Sequence, residues 1–520
     1  MRNVLERYAA GCESFVLVVT RIAVVVICSA VTLGAAGTPV VDAVKSGNVE
    51  AVRALVQKRA DVNIAEADGM TALHWAARNN DIESAKLLIR AGANAKATTR
   101  YGFTPLALAA QNGSAPMLDL LLKAGADANA ALPEGETALM TAARTGSASA
   151  IKVLASSGAN VNVRESWMGE SAIAWAAAEN HTDAVKALIE LGADVNAKSK
   201  VLNFPEFKWT TSGMVSTALP RGGWTPLMHA ARQGALEAGK ALTDAPQIDL
   251  NVVDPDGTTA LVVAIINAHY DFAAMLLDKG ADPNVADGTG TAALYFLVDM
   301  HTLGNMQGRP APKLVDAIDA EGLLKKLMAK GANPNARLLR PMLGRYHGSG
   351  DATLGEGTTP FLRAAKAVDV PFMKVLLEGG ADATLTKKDR TNAAMLVAAG
   401  QANAGYLGPG PDAALSATLE ALQICIDRGV DLNAFNTTGQ TAMHVAAGRG
   451  LDAVVKFLAE HGAKLDRTDK QGRTPLDVAL GVGAGAARGN NRNAGGPRES
   501  TAALLRQLMS ESGRTNTTLQ

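Results

Sequence analysis

Apolar side chains in this chain come in two short bursts, each at helical spacing and each followed by a polar break. Residues 104 to 129, TPLALAAQNGSAPMLDLLLKAGADAN, show the unit. Leu106, Ala109 and Ala110 mark a narrow apolar face, and Asn112-Gly113 ends it. Leu118, Leu121 and Leu122 mark a second face, which Gly125 closes. The spacing predicts two short helices. Thr104 is placed to accept a hydrogen bond from a free N–H at the first helix start, and Pro105 suits the first helical position. Gly125 fits the left-handed position just past a helix C-terminus. The alanines of the first face let a neighbouring helix approach closely.

The unit returns along almost the whole chain. Its opening slot is filled by Thr38, Thr71, Thr104, Thr137, Ser171, Thr225, Thr259, Thr291, Thr359, Thr391, Thr441 and Thr474. The first steps are 33 residues each, and the step to Ser171 is 34. A fixed period of this length predicts an all-α repeat solenoid, in which stacking buries faces that one unit cannot bury alone. Glycine fills the second-helix terminus at Gly92, Gly125, Gly158, Gly192, Gly280, Gly331, Gly380, Gly429 and Gly462. The first unit has Arg59 there and the sixth reads Ala245-Pro246-Gln247, so those two helix ends are expected to close differently.

These segments resemble ankyrin repeats, with their T-P-L-H-x-A-A and V-x-x-L-L-x-x-G-A-D-x-N pattern. The likeness is carried by 71-TALHWAARNN-80 with 87-LLIRAGANA-95, and by 441-TAMHVAAGRG-450 with 454-VVKFLAEHGAKL-465. It covers roughly residues 38 to 512. The resemblance implies about twelve helix–turn–helix units joined by β-hairpin fingers. It also implies a concave face of fingers and first helices that binds other proteins.

Departures from the period divide the chain. Residues 37–200 hold the first five units, 201–223 an insertion in a finger, and 224–513 the remaining seven. Further insertions fall near 300–318, 337–357, 400–415 and 481–497, before a flexible tail at 514–520. Insertions belong in loops, because the stacked faces cannot absorb them.

Lysine plus arginine equals aspartate plus glutamate, 50 against 50. This balance offers no basic field for nucleic acid or anionic lipid. Residues 22–36, IAVVVICSAVTLGAA, follow Arg21 and end in small residues, the pattern of a cleaved signal peptide. The expectation is therefore export, to a bacterial periplasm, with residues 1–36 removed. The rival is an uncleaved anchor over residues 15–36, long enough to span a bilayer. Cys425 occupies a leucine slot of a second helix and reads as core, leaving one thiol in the mature chain and no internal disulfide.

A partner is sought where the repeat pattern varies. The resemblance points the fifth residue of each slot toward the groove. That column includes Trp75, Trp175, His229, Tyr295 and Arg363. Tyr101, Phe103 and Trp167 stand on fingers, and Trp209 and Trp224 on or beside the first insertion. Only 4% of the chain is aromatic, so this placement is informative. Trp75, Tyr101, Phe103, Trp167, Trp175, Trp209, Trp224 and Tyr295 are the candidate partner-binding residues. Aromatic anchors at protein interfaces are each worth about 2 kcal/mol or more. The bland alternative is that these rings pack against neighbouring fingers.

No P-loop, HExxH or CxxCH is present. His74 and His444 fill the repeat's own histidine slot, and His181 and His269 its turn position. His229, His301 and His347 have no repeat explanation. Asp254-Pro255-Asp256-Gly257 reads as a finger turn, since it lacks the distal glutamate of a calcium loop. The expectation is a monomeric, non-enzymatic scaffold for a protein partner, without metal or cofactor. The alternatives are a membrane-tethered adaptor, or an enzyme whose site is built from insertions 199–223 and 337–357 around His347.

Overall fold

The computed structural model describes residues 38–202, 221–302, 316–340, 354–399, 411–482 and 498–517. The leader at 1–36, Trp209, His347 and most of each insertion lie outside the described residues.

The chain runs as a succession of helix pairs. The inner helices are α1 (Pro39–Lys45), α3 (Ala72–Arg78), α5 (Pro105–Gln111), α7 (Ala138–Arg144), α9 (Ala172–Ala178) and α11 (Pro226–Gln233). They continue as α13 (Ala260–Ile266), α15 (Ala293–Thr302), α17 (Pro360–Ala367), α19 (Ala393–Ala398), α21 (Ala442–Arg449) and α23 (Pro475–Ala479). The outer helices are α2 (Val49–Gln57), α4 (Ile82–Arg90), α6 (Ala115–Lys123), α8 (Ala148–Ser156), α10 (Thr182–Glu190) and α12 (Leu236–Thr243). They continue as α14 (Tyr270–Asp278), α16 (Ala320–Ala329), α18 (Val370–Glu378), α20 (Pro411–Asp427), α22 (Asp452–Glu460) and α24 (Glu499–Thr517). Each inner helix packs on its own outer helix and on the inner helices before and after it, and the outer helices do the same. Paired alanines such as Ala76-Ala77, Ala109-Ala110 and Ala142-Ala143 are fully buried between inner helices, which explains their recurrence.

The opening slot caps the inner helices. Thr104 Oγ1 accepts from the Ala107 N–H at 3.1 Å, and Thr137, Thr225, Thr259, Thr359, Thr441 and Thr474 repeat the bond. Where histidine follows, the cap closes in both directions. The Thr71 N–H donates to His74 Nδ1 at 3.1 Å, so Nε2 carries the proton and donates to Phe103 O, 3.1 Å away on the next finger. His444 repeats this between Thr441 and Arg473. His181 and His269 instead reach back to Arg144 O and Arg232 O on the inner helix of the preceding pair.

Two further links join neighbouring pairs. The Asn162 amide donates to Gly192 O at 3.1 Å and accepts from Asp194 N at 2.8 Å. Asn63, Asn129, Asn196, Asn284, Asn335 and Asn433 make the same two-way bridge. Successive fingers are also tied: Arg100 N donates to Asp68 O at 2.8 Å, Ser166 N to Glu134 O at 2.6 Å, and Lys388 N to Glu356 O at 2.8 Å. In the corresponding position Pro133 and Pro255 have no N–H to give. Their rings lie against Gly102 and Gly223 instead.

The fingers are mostly turns. Among the described residues their ladder is confined to single bridges at 65/71, 131/137 and 164/171, plus β1 (Val201–Leu202) against β2 (Arg221–Gly222). That antiparallel pair closes the base of the first insertion. Asp254 Oδ1 accepts from the Asp256 and Thr258 N–H groups, the finger turn anticipated there. Arg59 departs from expectation: it takes φ +56°, and Ala60 N bonds Leu55 O as Ala93 N bonds Leu88 O. The first outer helix thus closes as the glycine-ended ones do. The Ala245-Pro246-Gln247 end does close differently, with Ile248 N on Ala245 O.

Candidate binding groove

In the second pair, the fifth residue of the slot is Trp75, half-buried at the angle between finger and inner helix. Its indole N–H donates to Glu66 Oε2 at 2.6 Å. Lys45 Nζ lies 4.5 Å from the ring centre and the Arg78 guanidinium 5.1 Å. Lys45 also pairs with Glu66. The fifth pair repeats the arrangement. The Trp175 N–H donates to Glu170 at 2.8 Å, and Arg144 from the fourth pair lies 5.2 Å from its ring centre. At the sixth pair Trp224 donates to Asp254 at 3.3 Å, and Arg232 lies 5.6 Å from its ring centre.

The three rings therefore belong to the fold. All three pack against the core, and each points its one polar atom at a carboxylate of this chain. Tyr101 and Trp167 differ. They stand on finger tips, 68% and 70% exposed. Phe103 is half-buried and lines a small cleft of about 120 Å³ between the third and fourth pairs, with Leu132, Glu136, Thr141 and Arg144.

Tyr295 requires a correction. It is buried, 3% exposed, and offers no open face. The eighth slot carries one extra residue: α15 starts at Ala293, and Ala292 O accepts the helical N–H of Phe296 at 3.1 Å. Counting from Ala292, Tyr295 falls where His74 and His444 fall, facing into the stack. The tenth slot slips likewise, with Asn392 rather than Thr391 capping its helix.

Of the three unexplained histidines, His301 and His229 lie among the described residues. His301 Nδ1 lies 2.6 Å from Asp369 Oδ2, and its ring stacks on Phe372 with centres 4.1 Å apart. His229 sits edge-on to Trp224, with Nε2 3.6 Å from Glu170. Burial and then Arg232 push its imidazole down to about 4, while burial pushes the Glu170 carboxyl up. Cys425 is buried in the core, where desolvation raises its thiol to about 12. Arg363, in the groove column of the ninth pair, is buried in an ion pair with Asp299 at 2.6 Å. Among the described residues no group of three metal-ligand side chains converges, and no helix is long and apolar enough to cross a membrane.

Sequence reasoning missed the charged half of this surface. Arg78, Arg144 and Arg232 stand seven residues after the capping residue of their helices, and Glu66, Glu136 and Glu170 lie on the fingers of the second, fourth and fifth pairs. The repeat register that located Trp75 and Trp175 marks the three arginines as well.

Models for ankyrin repeats in three copies match residues 40–132, 106–199, 210–287 and 412–487, more than half of the chain, and a many-copy ankyrin model matches 173–243. The chain belongs to the ankyrin-repeat family. It is 32% identical to the ankyrin repeat protein nuc-2 of Neurospora crassa over 181 residues, 32% of this chain and 16% of that protein. It is 31% identical to the neurogenic locus Notch protein of Drosophila melanogaster over 176 residues, 31% of this chain and 5% of that one. The chain thus spans less than a fifth of the curated relatives it matches. A crystal structure of the human ASB11 ankyrin repeat domain is 26% identical, covering 48% of this chain and all of that one, with a TM-score of 0.39. Ankyrin repeats are in general protein–protein interaction modules, and ankyrin-repeat proteins typically carry no catalysis.

Proposed function

We propose that this ankyrin array is a monomeric binding scaffold that holds another protein along a concave face made by the fingers and inner helices of its second to sixth pairs. The observation that carries the reading is the row of half-buried indoles, Trp75, Trp175 and Trp224, with their N–H groups turned inward. Their ring faces are left to cations and to whatever enters the groove. Tyr101 and Trp167 stand exposed on the adjoining fingers.

The test uses affinity capture by the repeat array from its source. Tyr101→Ala with Trp167→Ala removes exposed rings, so helicity and melting should hold while capture falls at least about tenfold, as for aromatic anchors. Trp75→Ala and Trp175→Ala should lower the melting temperature as well, because each deletes a hydrogen bond and core packing. A partner held equally well by both double variants sinks the reading.

We further propose that the array is exported, with a mature end near residue 37, on the composition of residues 22–36. N-terminal sequencing of native material that returns Met1 overturns this. Retention on membranes after a salt wash would support the tethered form instead.

A further inference from the structure

The groove carries a charge pattern that selects its occupant. Counting seven residues on from each inner-helix cap gives Lys45, Arg78, Gln111, Arg144, Ala178 and Arg232 across the first six pairs. In the later pairs the same position reads Ile266, Asp299, Lys366, Ala399, Gly448 and Gly481. Cations therefore concentrate in the stretch that also carries the indoles.

Arg78, Arg144 and Arg232 lie 5.1, 5.2 and 5.6 Å from indole centres. A guanidinium held against an aromatic ring keeps N–H donors at its edge, a shape that matches a carboxylate, and Arg144 spends one of them on Glu136. The neighbouring glutamates are already engaged by this chain. Glu66 takes the Trp75 indole and Lys45. Glu136 takes the Thr141 hydroxyl at 2.8 Å and Arg144 at 3.3 Å. Glu170 takes the Trp175 indole.

Resting on the scaffold reading above, we propose that the groove binds an extended acidic segment of its protein partner, with carboxylates meeting Arg78, Arg144 and Arg232 in turn. Packed helices stand about 8–10 Å apart, so cations two pairs apart are separated by roughly 20 Å. An extended chain advances about 3.3 Å per residue, which places the carboxylates about six residues apart. Between the first two lies the cleft of about 120 Å³, where Phe103 and Leu132 face Gln111, Glu136, Thr141 and Arg144. It is somewhat smaller than the void of about 150 Å³ that holds benzene, and takes one aliphatic side chain. The segment thus reads acid, aliphatic residue, acid, then a third acid.

The test is fluorescence anisotropy on the full repeat array. The probe is a labelled glycine/serine peptide with three glutamates about six residues apart and a leucine before the middle one. Counterparts carry glutamine or lysine in place of glutamate. The glutamate peptide should bind at least about tenfold more tightly than the glutamine one. Arg144→Gln and Arg232→Gln should each weaken it roughly tenfold with helicity unchanged. Equal binding of the glutamate and glutamine peptides, indifference to the arginine substitutions, or displacement by a single-stranded oligonucleotide that binds more tightly overturns the proposal. Binding of the lysine peptide alone, lost in the Tyr101/Trp167 double variant, overturns the acidic assignment and leaves the scaffold reading standing. If no peptide binds, the acidic assignment falls, and the capture experiment decides the scaffold reading separately.

Discussion

Gly125 has φ +90°, and nothing lies within 4 Å of where a Cβ would stand. Gly125→Ala therefore carries backbone strain alone, about 1 kcal/mol. Gly234 is left-handed too, at φ +67°, but a Cβ there would stand 2.5 Å from Nδ1 of His269. Gly234→Ala should cost clearly more, because the imidazole that holds Arg232 O must move. Denaturant unfolding of the two variants side by side checks the difference; equal losses would show that the ring gives way freely. The glycine slot was visible in the sequence because a backbone need recurs at a fixed period. The crowding at Gly234 was not, since the obstructing ring comes from the next pair, 35 residues on. Arg59 was misread for a related reason: the hydrogen bonds of the turn hold its backbone left-handed without a glycine.

The asparagine bridge operates between elements. Asn162→Ala removes both bonds to the next pair at a solvent-exposed site, and should destabilise by about 1 kcal/mol. The second pair has Lys96 where most others have asparagine (the ninth has Thr384 and the eleventh Asp466), and among the described residues no two-way amide bridge joins it to the third. By the register of the other bridges, Lys96→Asn would face Gly125 O and Asp127 N and should add about 1 kcal/mol. Opposite shifts in the urea midpoint of these two variants are the expected result. An unchanged midpoint for both would assign the asparagine to turn geometry only. The asparagine was legible as part of the pattern, but its partners appear only once neighbouring pairs are stacked. The same gap explains Tyr295. One added residue before α15 turns a groove position into a core position, and counting from Thr291 hides the slip. Trp75 and Trp175, by contrast, keep the slot's register and lie half-buried beside their fingers.

At the scale of the whole array, acid should loosen the fold through histidines spread along it. His74 and His444 each accept a backbone N–H at Nδ1, a bond that only the neutral ring can make, and burial lowers both. His229, buried near Arg232 and Glu170, is lowered to about 4. In the unfolded chain all three titrate near 6.5. Between the two values the unfolded state binds more protons, so stability is full above about pH 7 and falls as the pH drops through 6.5 toward the folded values. At pH 5.5 His229 alone should account for about 1.4 kcal/mol, one pKa unit. Glu170, raised by burial, works in the opposite sense, because its carboxyl takes up a proton more readily in the folded chain than in the unfolded one. The comparison that separates them is the loss in unfolding free energy from pH 7.5 to 5.5 in the native chain and in His229→Asn. The variant should lose less by roughly that amount. An equal loss would mean that His229 is protonated in the folded array and paired with Glu170 across their 3.6 Å gap. Because packing runs only between neighbouring pairs, the effect should be local. Hydrogen exchange at low pH should rise first in the inner helices around His74, His229 and His444, with the rest of the stack still closed.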